Sequence, residues 1–214
     1  MKRAALSLVV LLVLVAGVRA QKNIDQILVL VNDDPITRTD LLWSLAMDAK
    51  APNPAAAVSS DVLRRKLDVM IDERLISQEA SRIPSVEVTE EELRKKRSDL
   101  IATFKSEAAF RERVGAVGLT TERIDDLLRQ RILIDRFIDF RFQTFVLVTE
   151  PDIQRYYDER LVPQLRASGQ VPPALDKVRD RISAILKVEK VNQEIDRWLD
   201  GARQRAEVVV LAEP

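Results

Sequence analysis

Glu90-Glu91-Glu92, Asp125-Asp126 and the basic run Arg94-Lys95-Lys96-Arg97 are the charged groupings that could do chemistry. Adjacent carboxylates could hold a divalent cation or act as an acid–base pair, and a basic run could meet phosphate. Each has a plainer reading. Acids in the first turn of a helix complement its macrodipole, which accounts for both acidic groups. Hydrolysis by two carboxylates needs a set separation across a substrate, and no second motif supplies one. The basic run has no interleaved aromatics, and 34 Lys and Arg against 34 Asp and Glu leave no cationic surplus for nucleic acid. The sequence contains no Cys and no His, which excludes disulfides, thiol nucleophiles, Cys/His zinc sites and Ser–His or Cys–His catalysis. No metal, cofactor or catalytic residue is therefore assigned. Trp43 and Trp198 read as core side chains.

The apolar residues hold more information. A helical pattern opens at Thr120 or Thr121 and reaches about Phe142. Ile124, Leu127, Leu128, Ile134 and Ile138 form one face, enough to anchor it. From Ile132 onward the pattern is apolar nearly all round, and Leu133, Phe137 and Phe140 form an opposite face. Such a helix is usually central in a core, so the second face serves either another core element or a guest. Aromatic rings bury much area with few rotors, which makes Leu133, Phe137 and Phe140 the candidate ligand-contacting residues.

The elements that must position this helix follow from caps and breakers. Lys2 and Arg3, an apolar run from Ala4 to Ala16 and the small-residue site Val18-Arg19-Ala20 have the layout of a secretory signal peptide cut after Ala20. The run is shorter than the roughly 20 residues that span a bilayer, so no stable membrane span is expected after cleavage. The cut removes three of the 34 basic residues, leaving 31 against 34 acidic ones. Ile27–Val31 reads as a strand, Asn32-Asp33-Asp34-Pro35 as a turn, and Thr37 with Asp40 as the capped start of a helix to about Ala49. Ala51–Ser59 is a loop. Ser60 opens a helix to about Ser81, with Leu63, Leu67, Met70, Ile71 and Leu75 on one face and Val69 and Ile76 on a second stripe. Thr89 with Glu92 caps the next helix. A short helix from about Glu107 ends at Gly115.

After the candidate helix, Val146–Val148 is extended and Thr149-Glu150-Pro151-Asp152 starts a helix ending near Arg166. Ala167–Pro173 is the clearest breaker. A last helix runs from about Ala174 to Arg205. Its apolar faces, Leu175 to Leu186 and Val188 to Ala202, lie roughly 140° apart at 100° per residue. With no Gly or Pro at the change, the two halves are expected to pack against different bodies. Val208–Leu211 closes the chain as a strand expected to pair with Ile27–Val31, since isolated strands leave backbone groups unmatched.

Val31-Asn32-Asp33-Asp34-Pro35-Ile36-Thr37-Arg38-Thr39-Asp40-Leu41, Leu67 to Ile76, Val88 to Leu93, Val148 to Tyr157, Ile195 to Leu199 and Ala206-Glu207-Val208 together, in this order, resemble the SurA-type periplasmic chaperones. The resemblance implies a mainly α fold. It would be a helical SurA N-like module over residues 21–166, completed by residues 174–214, with a small sheet of the N- and C-terminal strands. The segment 167–173 stands where that family carries a parvulin prolyl-isomerase domain, and it is too short to hold a domain of at least ~50 residues. The parvulin pocket contains histidine, which this sequence lacks, so isomerase activity is not expected. The resemblance implies an ATP-independent chaperone without cofactor, periplasmic or secreted, whose partners are unfolded outer-membrane or secreted polypeptides held in an apolar groove. Two alternatives stand beside it: a structural or assembly subunit that buries its apolar faces in a homodimer, and a prolyl isomerase by family association.

Overall fold

A computed structural model describes residues 25–83 and 87–214; the signal segment 1–20 lies outside the described residues. Strand β1 (Ile27–Val31) and strand β2 (Asp34–Thr37) form a hairpin. Helices follow in the order α1 (Arg38–Ala46), α2 (Ser60–Ala80), α3 (Glu90–Ala102), α4 (Glu107–Gly115), α5 (Thr121–Ile138), α6 (Glu150–Tyr156), α7 (Val162–Ala167) and α8 (Leu175–Arg205). Strand β3 (Val208–Val210) then returns to β1. The architecture is mainly α with one small antiparallel sheet of order β2-β1-β3.

The terminal strands pair as expected, with Val29 opposite Val210, Leu30 opposite Val209 and Val31 opposite Val208. The turn expected over 32–35 is shorter than read, because Asp34–Thr37 is a third strand. Asn32 adopts φ +54°, the left-handed conformation required by a two-residue hairpin loop, and Asn tolerates it better than most residues. Pro35 is acceptable in β2 because β2 is an edge and its missing donor faces outward.

Thr37, Thr89 and Thr149 each close a capping box with Asp40, Glu92 and Asp152. Ser60 is not a cap: Ser59 occupies that position, and its side chain makes no capping bond. Gly115 is not the stop of α4 either, since it remains helical. The reversal falls at Gly118, whose φ of +66° lets its N–H and that of Leu119 bond back to the carbonyls of Gly115 and Val114. Leu119 then packs against Val114.

Among the described residues, most buried apolar side chains fall into three groups, with Ile132, Ile153 and Ile182 buried outside them. The first joins the sheet to α1 and α2 through Val29, Val31, Ile36, Leu41, Leu67 and Ile71. The second gathers Leu93, Phe110, Val114, Ile124 and Leu128 from α3, α4 and α5, with Leu119 from the loop between α4 and α5. The third holds Ile76, Ile134, Phe137, Phe142 and Val191. Helix α2 therefore is buried on two sides, but Val69, expected on its second stripe, is 48% exposed; only Ile76 reaches the third group. Helix α8 is unbroken. Its N-terminal half faces α6, through Arg179 to Glu150 and Lys190 to Asp152. Its C-terminal half meets the sheet and α2, through Trp198, Ala202 and the Arg203–Asp72 pair at 2.6 Å.

Candidate functional site

Most of the carboxylates and cations singled out in the sequence are held in ion pairs. Arg97 pairs with Asp125, Lys96 with Asp135 at 2.6 Å, Arg129 with Glu90 at 2.8 Å and Arg136 with Glu92, which zips α3 to α5. Lys95 pairs with Asp99 on its own helix. The N–H and hydroxyl of Thr89, then the Arg136 guanidinium, hold the Glu92 carboxyl down to about 2. These are structural ion pairs, and among the described residues no three potential ligands are grouped to hold a metal ion. A cleft of about 460 Å³ opens beside the hairpin tip, next to Asn32, Asp34, Gln78, Arg82 and Trp198. Its polar groups are largely engaged: the Gln78 amide donates to the Val31 carbonyl at 2.9 Å and to Asp34 at 2.7 Å, and Asn32 donates to Gln78.

The end of α5 is different. The helix stops at Ile138, and Asp139–Gln143 is one π-helical turn. A π turn adds a residue to the repeat, so the side chain sharing a face with Phe137 is five positions on, not three or four. Phe142 accordingly turns inward. Its ring lies edge-on to Phe137 at 6.0 Å and to Trp198 at 6.1 Å, and Phe137 lies 5.9 Å from Trp198. Phe140 is turned out and is 61% exposed.

The three residues expected to share a face therefore separate. Phe137 is 5% exposed within the aromatic cluster, Leu133 is half-buried, and Phe140 alone presents its ring to solvent. Their expected grouping assumed an uninterrupted α repeat through Phe142, and the extra residue of the π turn rotates Phe140 away.

Two neighbours missed by the helical pattern join Phe140 in exposure: Phe145 at 72% and Leu147 at 77%. They follow the π turn in a segment without regular structure, and Val146 between them points inward onto the third core group. This in–out alternation is a feature of the structure alone, because the sequence there is a continuous apolar run, Phe145-Val146-Leu147-Val148. Val146–Val148, expected to be extended, has no regular secondary structure and joins no sheet among the described residues. Its brace is Lys190, whose ammonium donates to the Leu147 carbonyl at 2.9 Å and to Asp152 at 2.6 Å. Lys190 and the Thr149 cap hold the Asp152 carboxyl far below the ordinary carboxylate range. Large apolar side chains are thus displayed on a segment fixed at both ends, by Phe142 in the core and by Lys190 on α8.

The chain is 25% identical over 206 residues to a protein named Chaperone SurA from Cupriavidus pinatubonensis, an alignment covering 92% of this chain. The chain spans 41% of that relative's length. The similarity supports a SurA-like relationship across most of the sequence. No protein-family model matches the chain. Among the described residues no helix is long and apolar enough to cross a membrane.

Proposed function

We propose that this protein is an ATP-independent chaperone, exported by its N-terminal signal and acting in the periplasm, that holds unfolded outer-membrane or secreted polypeptides. The observation that carries the reading is the group Phe140, Phe145 and Leu147, more than half exposed and braced by Phe142 and Lys190. Large apolar side chains exposed within one short segment, 140–147, mark an interaction surface. Similarity to a named chaperone over most of the chain supports the same reading. Phe140 makes direct client contact, Leu133 borders it from the helix, and Phe137 acts from beneath by holding the π turn. The reading includes no catalytic residue and no prolyl-isomerase activity.

The test is aggregation suppression of a chemically unfolded outer-membrane β-barrel protein by the purified mature chain. The wild type is expected to suppress aggregation. The triple variant Phe140→Ser, Phe145→Ser, Leu147→Ser is expected to lose suppression while keeping its melting temperature. Light-scattering mass measurement with and without client separates this from burial of the same side chains in a homodimer, and a proline-peptide assay should remain at background.

A further inference from the structure

We propose that the outer edge of β3 docks an extended, β-branched apolar segment of an unfolded polypeptide as a fourth strand of the sheet. The proposal rests on the chaperone reading above and names a second mode of client contact, made through the backbone.

The two edges of the sheet are built differently. Edge β2 carries Asp34 and Pro35 and follows Asp33. Charge and proline are the usual protection of a strand edge against pairing. Edge β3 is Val208-Val209-Val210, preceded by Glu207 and followed by Leu211; the strand itself carries no charge, proline or glycine. Val208, Val209, Val210 and Leu211 are 36%, 37%, 63% and 53% exposed.

The register fixes which backbone groups are free. The Asn32 N–H donates to the Glu207 carbonyl at 2.7 Å, and the Leu211 N–H donates to the Leu28 carbonyl at 2.8 Å. In an antiparallel pair, alternate residues face the neighbouring strand. Glu207, Val209 and Leu211 therefore face β1, and the N–H and C=O groups of Val208 and Val210 point outward. Among the described residues no strand pairs with that side. Two outward residues spaced by two are the unit that receives an added strand, with backbone bonds giving affinity and the valines favouring an apolar neighbour.

A second copy of this chain fits less well. A pairing of three-residue strands is far below the roughly 1,600 Å² buried in a stable protein–protein interface. An unfolded chain needs no such area at any single point, because several weak contacts along one tethered chain add.

The experiment is amide hydrogen exchange on the mature protein, alone and with the unfolded β-barrel client, with aggregation suppression measured alongside. Exchange at Val208 and Val210 should slow at least about tenfold with client, the effect of roughly one backbone bond each, while Val209, already bonded to β1, changes little. Val210→Pro removes an outward donor without touching the β1 ladder, and should weaken client binding severalfold at unchanged melting temperature. Should that variant misfold, Val210→Lys places a charge on the exposed edge with the backbone intact and is expected to give the same loss. Unchanged exchange at both valines with suppression intact would overturn the strand docking and leave the chaperone reading standing. Absence of suppression by the wild type would overturn the chaperone reading and the proposal with it. Protection that appears without client and grows with protein concentration would assign the edge to a second copy and refute the proposal.

Discussion

Phe137 and Phe140 stand three positions apart in similar sequence surroundings, yet their rings have opposite fates. Phe137 fills the aromatic cluster with Phe142 and Trp198, and Phe140 is 61% exposed. Removing a buried aromatic leaves a cavity its neighbours fill only partly, so Phe137→Ala should cost about 3–5 kcal/mol in urea unfolding. Phe140→Ser, with no cavity to open, should stay within about 0.5 kcal/mol. Comparable losses in both would contradict the π-turn geometry. Arg113 is a second residue whose role composition does not suggest. Its Nε donates to the Ala46 carbonyl, and its Nη2 lies within hydrogen-bond distance of the carbonyls of Leu45, Asp48, Ala51 and Pro52, which share its two hydrogens, closing the C-terminal end of α1 and fastening the loop after it. This fan depends on the planar fork of arginine, which a lysine ammonium cannot reproduce. Arg113→Lys, although charge-conserving, should lose about 1.5–3 kcal/mol, the range for hydrogen bonds to a charged group. A lysine variant with wild-type stability would show the fan to be dispensable.

At the scale of elements, the capping boxes have a measurable pH signature. Glu92 is held at about 2, below its ordinary value of 4.5, by Thr89 first and Arg136 second. A carboxyl depressed in the folded state contributes stability that is complete above its unfolded pKa and lost as pH falls through the folded one. The contribution of Glu92 should therefore disappear between pH 4.5 and about 2. Glu92→Gln should flatten the fall of melting temperature in that window and leave the profile above it parallel to wild type; an unchanged acid limb would refute the assignment. The same boxes explain why so much of the fold was legible in the sequence. Thr37, Thr89 and Thr149 carry their partners three residues on, and the periods of α2 and α8 name most of their buried faces. What was not legible has specific causes. Strand β2 was hidden by Pro35, which reads as a turn residue and is admissible only because β2 became an edge. The displayed apolar group was hidden because an inserted π residue leaves no trace in periodicity, so Phe142 and Phe140 exchanged places relative to an α repeat. Phe145 lay beyond any periodic segment.

At the scale of the whole molecule, the chain closes on itself: β1 near its beginning is flanked by β2 and by β3 near its end. Asn32 ties the start of β3 to α2, since its N–H donates to the Glu207 carbonyl, its side-chain oxygen accepts from the Glu207 N–H at 3.0 Å, and its amide donates to Gln78 of α2. Beyond β3, Glu213 pairs with Arg64 at 3.0 Å, another link to α2. Among the described residues, α8 itself meets the sheet through side chains such as Trp198 and Ala202. Removing Ala206–Pro214 would expose the β3 side of β1, where Leu28, Val29 and Val31 are now fully buried. The backbone bonds lost at Leu28, Leu30 and Asn32, at about 1 kcal/mol net each, amount to roughly 3 kcal/mol before any apolar exposure is added. For a chain of this size that loss corresponds to a melting temperature lower by about 6–12 °C. Differential scanning calorimetry of the truncated and full proteins measures it directly. A truncated chain melting within a degree or two of the full one would mean that the helices alone sustain the fold and that the returning strand serves only the surface it presents.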